Sequence, residues 1–180
     1  MTTPARRVLY HLICAAPPAL DAAGFIGLAH TAGWDVCAVT TPRAAAWVNL
    51  DALAGLTGHP VRTDYKLPHE PDVLPPPDAI AVAPATFNTI NKWAAGTADN
   101  LVLGLLTEAL GLHLPTAALP YLNTAQAHHP AFTPSVNRLR AAGATILLAD
   151  QPGQNGYHPH PPRHGDRSTL PWQTLLDTLT

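Results

Sequence analysis

The chain has 180 residues, 47% of them apolar and 12% charged, with 12 Gly, 20 Pro and a formal charge of -2. That is about one domain of foldable sequence, neither disordered nor collagen-like, and it lacks the basic field that a phosphate backbone demands, so nucleic acid is excluded as a partner. A charged share so far below the roughly 25% usual in globular proteins leaves surface that another copy of the chain would cover.

Val8 to Ile13 reads as a short strand closed by Cys14-Ala15-Ala16-Pro17-Pro18, after which Leu20, Phe25, Ile26, Leu28 and Ala29 recur at helical spacing until Gly33. Val36 to Val39 reads as a second strand, which completes a βαβ unit. Further strands fit Ala79 to Ala83, Thr116 to Leu119 and Thr145 to Leu148, with helical patterns at Leu101 to Leu112, Ser135 to Ala142 and Leu170 to Leu179. The alternation predicts a doubly wound α/β fold. Pro68 to Pro77 and Gln151 to Gly165 are too rich in proline for regular structure, and the second is expected to act as a flap within a single domain spanning residues 1–180.

Cys14 and Cys37 match no metal or redox spacing and are expected to be reduced and buried. Val8 to Cys14, interrupted by His11, is short for a secretory h-region, and Leu101 to Leu114 is too short and too polar to span a bilayer. A soluble, cytoplasmic location and no membrane partner are expected.

Ligands in an open parallel sheet bind outside the carboxyl ends of the strands, so the residues just after each strand carry the chemistry. The first strand is followed by the small residues Cys14-Ala15-Ala16, which let an anion approach backbone amides but lack the GxGxxG dinucleotide pattern. The second is followed by Thr40-Thr41-Pro42, where Thr41 is either a phosphate ligand or only an N-cap. The third and fourth are followed by Pro84-Ala85-Thr86-Phe87-Asn88-Thr89 and by Pro120-Tyr121-Leu122-Asn123.

Ala83-Pro84-Ala85-Thr86-Phe87-Asn88-Thr89, with Lys92, Ala94, Gly96 and Ala98-Asp99-Asn100-Leu101, resembles the Pro-Ala-Ser-Ala-Asn-Thr motif and following helix of the homo-oligomeric flavin-containing cysteine decarboxylases. That family includes phosphopantothenoylcysteine decarboxylase and the peptidyl-cysteine decarboxylases of modified-peptide biosynthesis. Gly33-Trp34-Asp35-Val36 through Thr41, Ala44 and Trp47-Val48 is similar to its second strand and Thr/Ser-x-x-Ala-x-x-Phe stretch, and Thr57-Gly58-His59-Pro60-Val61 to its Ser-Gly-x-Pro-Val. The likeness runs over roughly residues 6 to 148 with almost no gaps.

The resemblance implies a three-layer Rossmann-like (flavodoxin-like) parallel sheet with helices on both faces, and an FMN site. Ala15, Ala16 and Pro17 fall where the family has its phosphate loop, Thr41 where a Ser or Thr binds the same phosphate, and Trp47 where an aromatic lies beside the flavin. Pro84, Ala85, Thr86 and Asn88 fall at the isoalloxazine, with Thr86 and Asn88 in place of the contacting Ser and Asn. For catalysis it implies a His before the third strand, which His69 matches with His59 as the alternative, and the Asn of a Pro-x-Met-Asn-x-x-Met-Trp motif, which Asn123 matches. Gln126 and Ala127 stand where Met and Trp would be, which bears on substrate recognition.

In the chemistry so implied, oxidising the thiol to a thioaldehyde gives an electron sink, and carbon dioxide leaves to form an enethiolate. An Asn donor suits the carboxylate, and a His suits thiol deprotonation. No Cys lies around Gly153-Gln154-Asn155-Gly156 to return the electrons, so the resemblance is to the oxidative, peptide-modifying branch. Its partners would be a Cys-terminated peptide and further copies of the chain, as a trimer or a multiple of trimers. Three other readings stay open: a catalytically silent FMN-binding or regulatory protein, a phosphopantothenoylcysteine decarboxylase-like enzyme, and a flavin prenyltransferase, which the lack of a Gly-rich first loop disfavours. His128, His129, His158, His160 and His164 have no carboxylate or Cys at ligand spacing, so no metal is assigned.

Overall fold

Five short apolar runs pair into one sheet in the computed structural model, which describes residues 6–149, 155–166 and 170–179. They are β1 (Val8–Ile13), β2 (Asp35–Thr40), β3 (Ala79–Thr86), β4 (Thr116–Tyr121) and β5 (Thr145–Ile146). Their order is β2-β1-β3-β4-β5 and every pairing is parallel. Both faces are covered, so β1 and β4 are buried at every position and read as continuous apolar runs instead of alternating ones.

The helices are α1 (Ala22–Thr31), α2 (Pro42–Ala45), α3 (Leu50–Thr57), α4 (Phe87–Ala94), α5 (Leu101–Gly111), α6 (Thr124–Ala127), α7 (Phe132–Ala141) and α8 (Trp172–Asp177). α1 packs with α8, and α4 packs with α5 and α7. The chain moves one way across the sheet from β1 to β2 and the other way from β3 to β5. Right-handed crossovers therefore put α1 on the opposite face from α4, α5 and α7. The expected flavodoxin-like three-layer architecture is what the structure shows, with the order reversal between β1 and β3. Among the described residues no helix is long and apolar enough to cross a membrane.

Some boundaries differ from the expected ones. The first helical run opens as a 3-10 turn, Pro17–Asp21, before α1 begins at Ala22. β3 continues past Ala83 to Thr86, with a register shift against β4 between Val82 and Ala85. β5 is cut to two residues, after which Leu148 bridges to Tyr157. α3, which apolar periodicity did not flag, is made by its ends: Asn49 Oδ1 accepts from Ala52 N, and Gly58 closes the helix at φ 74°, a left-handed conformation that suits glycine.

His11 sits in the middle of β1 with no exposure to solvent. Its Nε2 donates to the Ala83 carbonyl at 2.7 Å, at the point where β3 loses register, while Nδ1 has no partner among the described residues. Phe25 and Trp172 close over the ring. Burial holds the imidazole's pKa down to about 4, so it is neutral in the native protein at ordinary pH.

Candidate functional site

A cleft of about 650 Å³ opens at the carboxyl ends of the strands, where an open parallel sheet binds its ligands. Ala15, Ala16 and Pro17 after β1, Thr41 after β2, Thr86 at the end of β3 and Asn88 beyond it, and Gln126 beyond β4 all line it. The fold therefore brings together most of the residues that the sequence motifs single out.

Helix capping explains why these side chains stand where they do. Thr41 Oγ1 accepts from Ala44 N at 3.2 Å and Thr86 Oγ1 accepts from Thr89 N at 3.2 Å, so each hydroxyl is pinned to the first turn of a helix that leaves the sheet. Thr89 Oγ1 donates to Cys14 Sγ, which leaves its oxygen to accept the Thr86 proton. Burial pushes the Cys14 thiol pKa up, so Cys14 is a packed wall of the cleft and no nucleophile. Asn88 is exposed and its amide makes no hydrogen bond among the described residues.

Pro84 and Ala85 are buried in β3 and do not line the cleft; the Pro84 carbonyl accepts from Cys14 N at 3.2 Å and ties the first strand end to the third. Trp47 also lies outside the lining, 42% exposed, two residues past the end of the one-turn α2. His69 is exposed on the loop between α3 and β3 and lines no part of the cleft. His59 bonds Asp35 at 2.8 Å, at the amino end of β2 and so at the opposite end of the sheet.

Asn123 caps α6. Its Oδ1 accepts from Gln126 N at 2.9 Å while Gln126 Oε1 accepts from Asn123 N at 3.2 Å, and through this reciprocal pair it holds Gln126 at the cleft. Asn123 itself does not line the cavity, and its Nδ2 makes no hydrogen bond among the described residues. Residues 151–154 of the expected flap lie outside the described residues. The remainder, from Asn155, docks on the turn between β4 and α6: Thr124 N donates to the His160 carbonyl at 2.8 Å and Tyr157 Oη to the Leu122 carbonyl at 3.2 Å.

Among the lining residues to which the sequence assigned no role are two cations and a phenol. Arg43 follows the helix-starting proline, a spot where a cation beside a phosphate site could have been anticipated, and it makes no ion pair among the described residues. Lys92 also lines the cleft but is paired with Asp99. Tyr121, at the end of β4, is 7% exposed and its phenol oxygen is buried without a partner among the described residues. Burial, with the nearby charge of Asp166, raises the pKa of that phenol.

The chain matches the Flavoprotein family model over residues 27–179. It belongs to the Flavoprotein family. Among curated relatives, it is 34% identical over 113 residues to the coenzyme A biosynthesis bifunctional protein CoaBC of Mycobacterium bovis, a match that covers 61% of this chain. The match spans only about a quarter of that relative's length. Among solved structures, the FMN-dependent cysteine decarboxylase SpaF superposes with a TM-score of 0.70 at 24% identity, covering 97% of this chain and 98% of that one. TvaF, the FMN-dependent cysteine decarboxylase from thioviridamide biosynthesis, superposes at 0.73 with 22% identity, covering 97% and 99%. At these identities the two structures establish the fold of this flavoprotein.

Proposed function

We propose that this flavoprotein binds FMN and catalyses the oxidative decarboxylation of a peptide's C-terminal cysteine, releasing carbon dioxide and leaving an enethiol. The observation that carries the reading is the joint lining of one cleft by Ala15, Ala16, Pro17, Thr41, Thr86 and Asn88 in a chain of this family. The donor set fits the cofactor. Thr41 keeps its hydroxyl proton to donate, Ala15 N–H makes no hydrogen bond among the described residues, and Arg43 is an unpaired cation among them. These three would hold the phosphate, and Thr86 and Asn88 the ring. When bound, FMN supplies a two-electron sink for oxidising the cysteine thiol, and an external acceptor must then take the electrons.

The chain's own residues bind and orient the substrate. With Asn123 Oδ1 committed to the α6 cap, the Nδ2 amide is the group left to donate to the departing carboxylate. Gln126, pinned to Asn123 and facing the cleft, flanks the same substrate end. His69 does not line this cleft in its own chain, and we place its action in the cleft of a neighbouring subunit. Its loop carries the exposed Tyr65, Leu67 and Val73, an apolar surface that suits contact with another copy. We propose a homo-oligomer, a trimer or a multiple of trimers as the family resemblance implies, and light scattering that gives a monomer at micromolar concentration would end this part of the reading.

Identity to CoaBC favours a second reading, a phosphopantothenoylcysteine decarboxylase-like enzyme. Purified protein should be yellow, retain FMN through gel filtration and release carbon dioxide from a Cys-terminated peptide. Colourless protein that takes up no FMN overturns both readings, while turnover of phosphopantothenoylcysteine without turnover of the peptide selects the second.

A further inference from the structure

Gly104 sits inside α5, in a run of Leu and Val, where glycine is a poor helix former and alanine the best one. The structure shows what the missing side chain makes room for. A Cβ there would overlap Tyr65 Oη and stand 3.0 Å from Tyr65 Cζ, so the phenol end of a residue from the α3–β3 loop occupies the place of a methyl group. Seated in that notch, Tyr65 Oη donates to the Asn100 carbonyl at 3.2 Å. Asn100 is the N-cap of α5 and lines the cleft, so the seat ties the loop to a residue of the cleft wall.

Beyond Tyr65 the loop folds into a turn bonded to itself. Lys66 Nζ pairs with Asp72 Oδ1 at 2.8 Å across its base. Inside that base Glu70 N donates to the Leu67 carbonyl at 3.0 Å, while Leu67 N donates to Glu70 Oε2 at 2.8 Å. His69 lies within the turn and makes no hydrogen bond among the described residues. The exposed Lys66–Asp72 pair is worth little by itself, and the bonds between Leu67 and Glu70 hold the turn together without fixing where it stands. That is left to its ties to the body of the protein, Tyr65 at α5 and Pro75, whose carbonyl accepts from Tyr10 Oη at 2.8 Å. Tyr65 is the nearer of the two in sequence. Four residues span at most about 14 Å, so fixing Tyr65 confines His69 to a short radius.

Resting on the function proposed above, we propose that Tyr65, seated at Gly104, is a positioning residue for His69, holding the loop so that the imidazole stands where a neighbouring subunit's cleft receives it. The step His69 serves is a proton transfer. The S–H bond of the substrate cysteine breaks, its electron pair stays on sulfur, and the proton goes to an imidazole nitrogen. Tyr65 does not line the cleft, so it acts through the loop, by removing freedom that an exposed histidine must lose before it can react.

The test follows carbon dioxide release by the flavin-loaded protein on a Cys-terminated peptide from pH 6.5 to 9.5, across a free thiol's pKa of about 8.5. Gly104→Ala improves the helix but drives Tyr65 off its seat. Its rate should fall by about a hundredfold at neutral pH while FMN retention holds and the thermal midpoint holds or rises. Tyr65→Phe, which keeps the ring and loses one hydrogen bond, should lose about tenfold or less. Phe has no hydroxyl to collide with the new methyl, so the double variant should recover most of what Gly104→Ala loses. In a His69→Asn background neither change should slow the reaction further, and each defect should narrow above about pH 8.5, where the thiol ionises unaided. The order parameter of the His69 backbone amide, read by NMR without turnover, should fall in Gly104→Ala and recover in the double variant. A parental rate or lost FMN in Gly104→Ala overturns the proposal, as do defects constant with pH or persisting in the His69→Asn background. A parental rate for His69→Asn, or an unchanged order parameter, does the same. A parent that releases no carbon dioxide sinks the proposed reaction instead, and a fallen order parameter in Gly104→Ala then sustains Tyr65 as the residue that holds His69.

Discussion

The two sides of the cleft treat their polar groups differently. On the β2 and β3 side, Thr41 and Thr86 are each spent on a backbone amide of the helix they start, and the Thr86–Thr89–Cys14 chain leaves that wall internally bonded. On the β4 side, Tyr121 Oη and Asn123 Nδ2 have no partner among the described residues, and the strap of residues 155–166, held by a few backbone bonds, covers the first. Hydroxyls fixed in place by internal bonds are preorganised for a resident ligand, whereas a buried donor left unspent under a strap suits a ligand that arrives and leaves.

The largest effect is expected where that contrast is sharpest. Asn123→Asp keeps the Oδ1 that caps α6, since Asp caps as well as Asn, but replaces the free amide with a carboxylate. Carbon dioxide release should fall by about a hundredfold or more while FMN retention and thermal stability hold. Loss of FMN along with activity would show that the two walls are not separate.

Below that comes acid stability, set beneath the sheet face by His11. Between about pH 6.5 and its native value of about 4, the unfolded chain binds the His11 proton and the native protein does not. Stability therefore falls as pH drops through that window, by about 3 kcal/mol at most from this residue. His11→Gln keeps a donor for the Ala83 carbonyl and cannot titrate, so denaturant midpoints of parent and variant should converge from pH 7 to pH 4. Parallel pH profiles would remove His11 as the cause.

On the β3 wall, Thr86→Ala should cost about 1 kcal/mol of fold stability through the lost cap. It should also weaken FMN binding by roughly 1 to 3 kcal/mol, and Thr86→Ser should restore both. Asn88→Asp should weaken FMN alone, because Asn88 bonds nothing inside the described chain. Equal FMN titrations for Asn88→Asp and parent would move the ring elsewhere.

The smallest effect on the cofactor is expected from Gly165→Ala, whose methyl collides with Tyr121 Oη and the His160 ring. The strap should lift, read as faster hydrogen exchange at Thr124 and Tyr157, with FMN affinity unchanged. A lowered FMN affinity in this variant would tie the strap to the resident ligand and break the comparison.

Sequence alone determined the sheet and most of the β1 to β3 wall. Short apolar runs bounded by Pro and small polar residues are local signals, and in a parallel sheet every strand end falls on one edge, so Ala15, Thr41, Thr86 and Asn88 had to converge. Tertiary structure decided the rest, because those positions depend on long-range contacts with no local signature. Trp47 lies exposed two residues past the one-turn α2, whose Arg43 stands at the cleft. The bond to Asp35 places His59 at the wrong end of the sheet, and the α3–β3 loop leaves His69 exposed. Periodicity could not foretell that a proline-rich tail segment would bridge back to Asn123 and lay His160 on Tyr121, since the backbone pairing that does so joins two stretches with no common pattern.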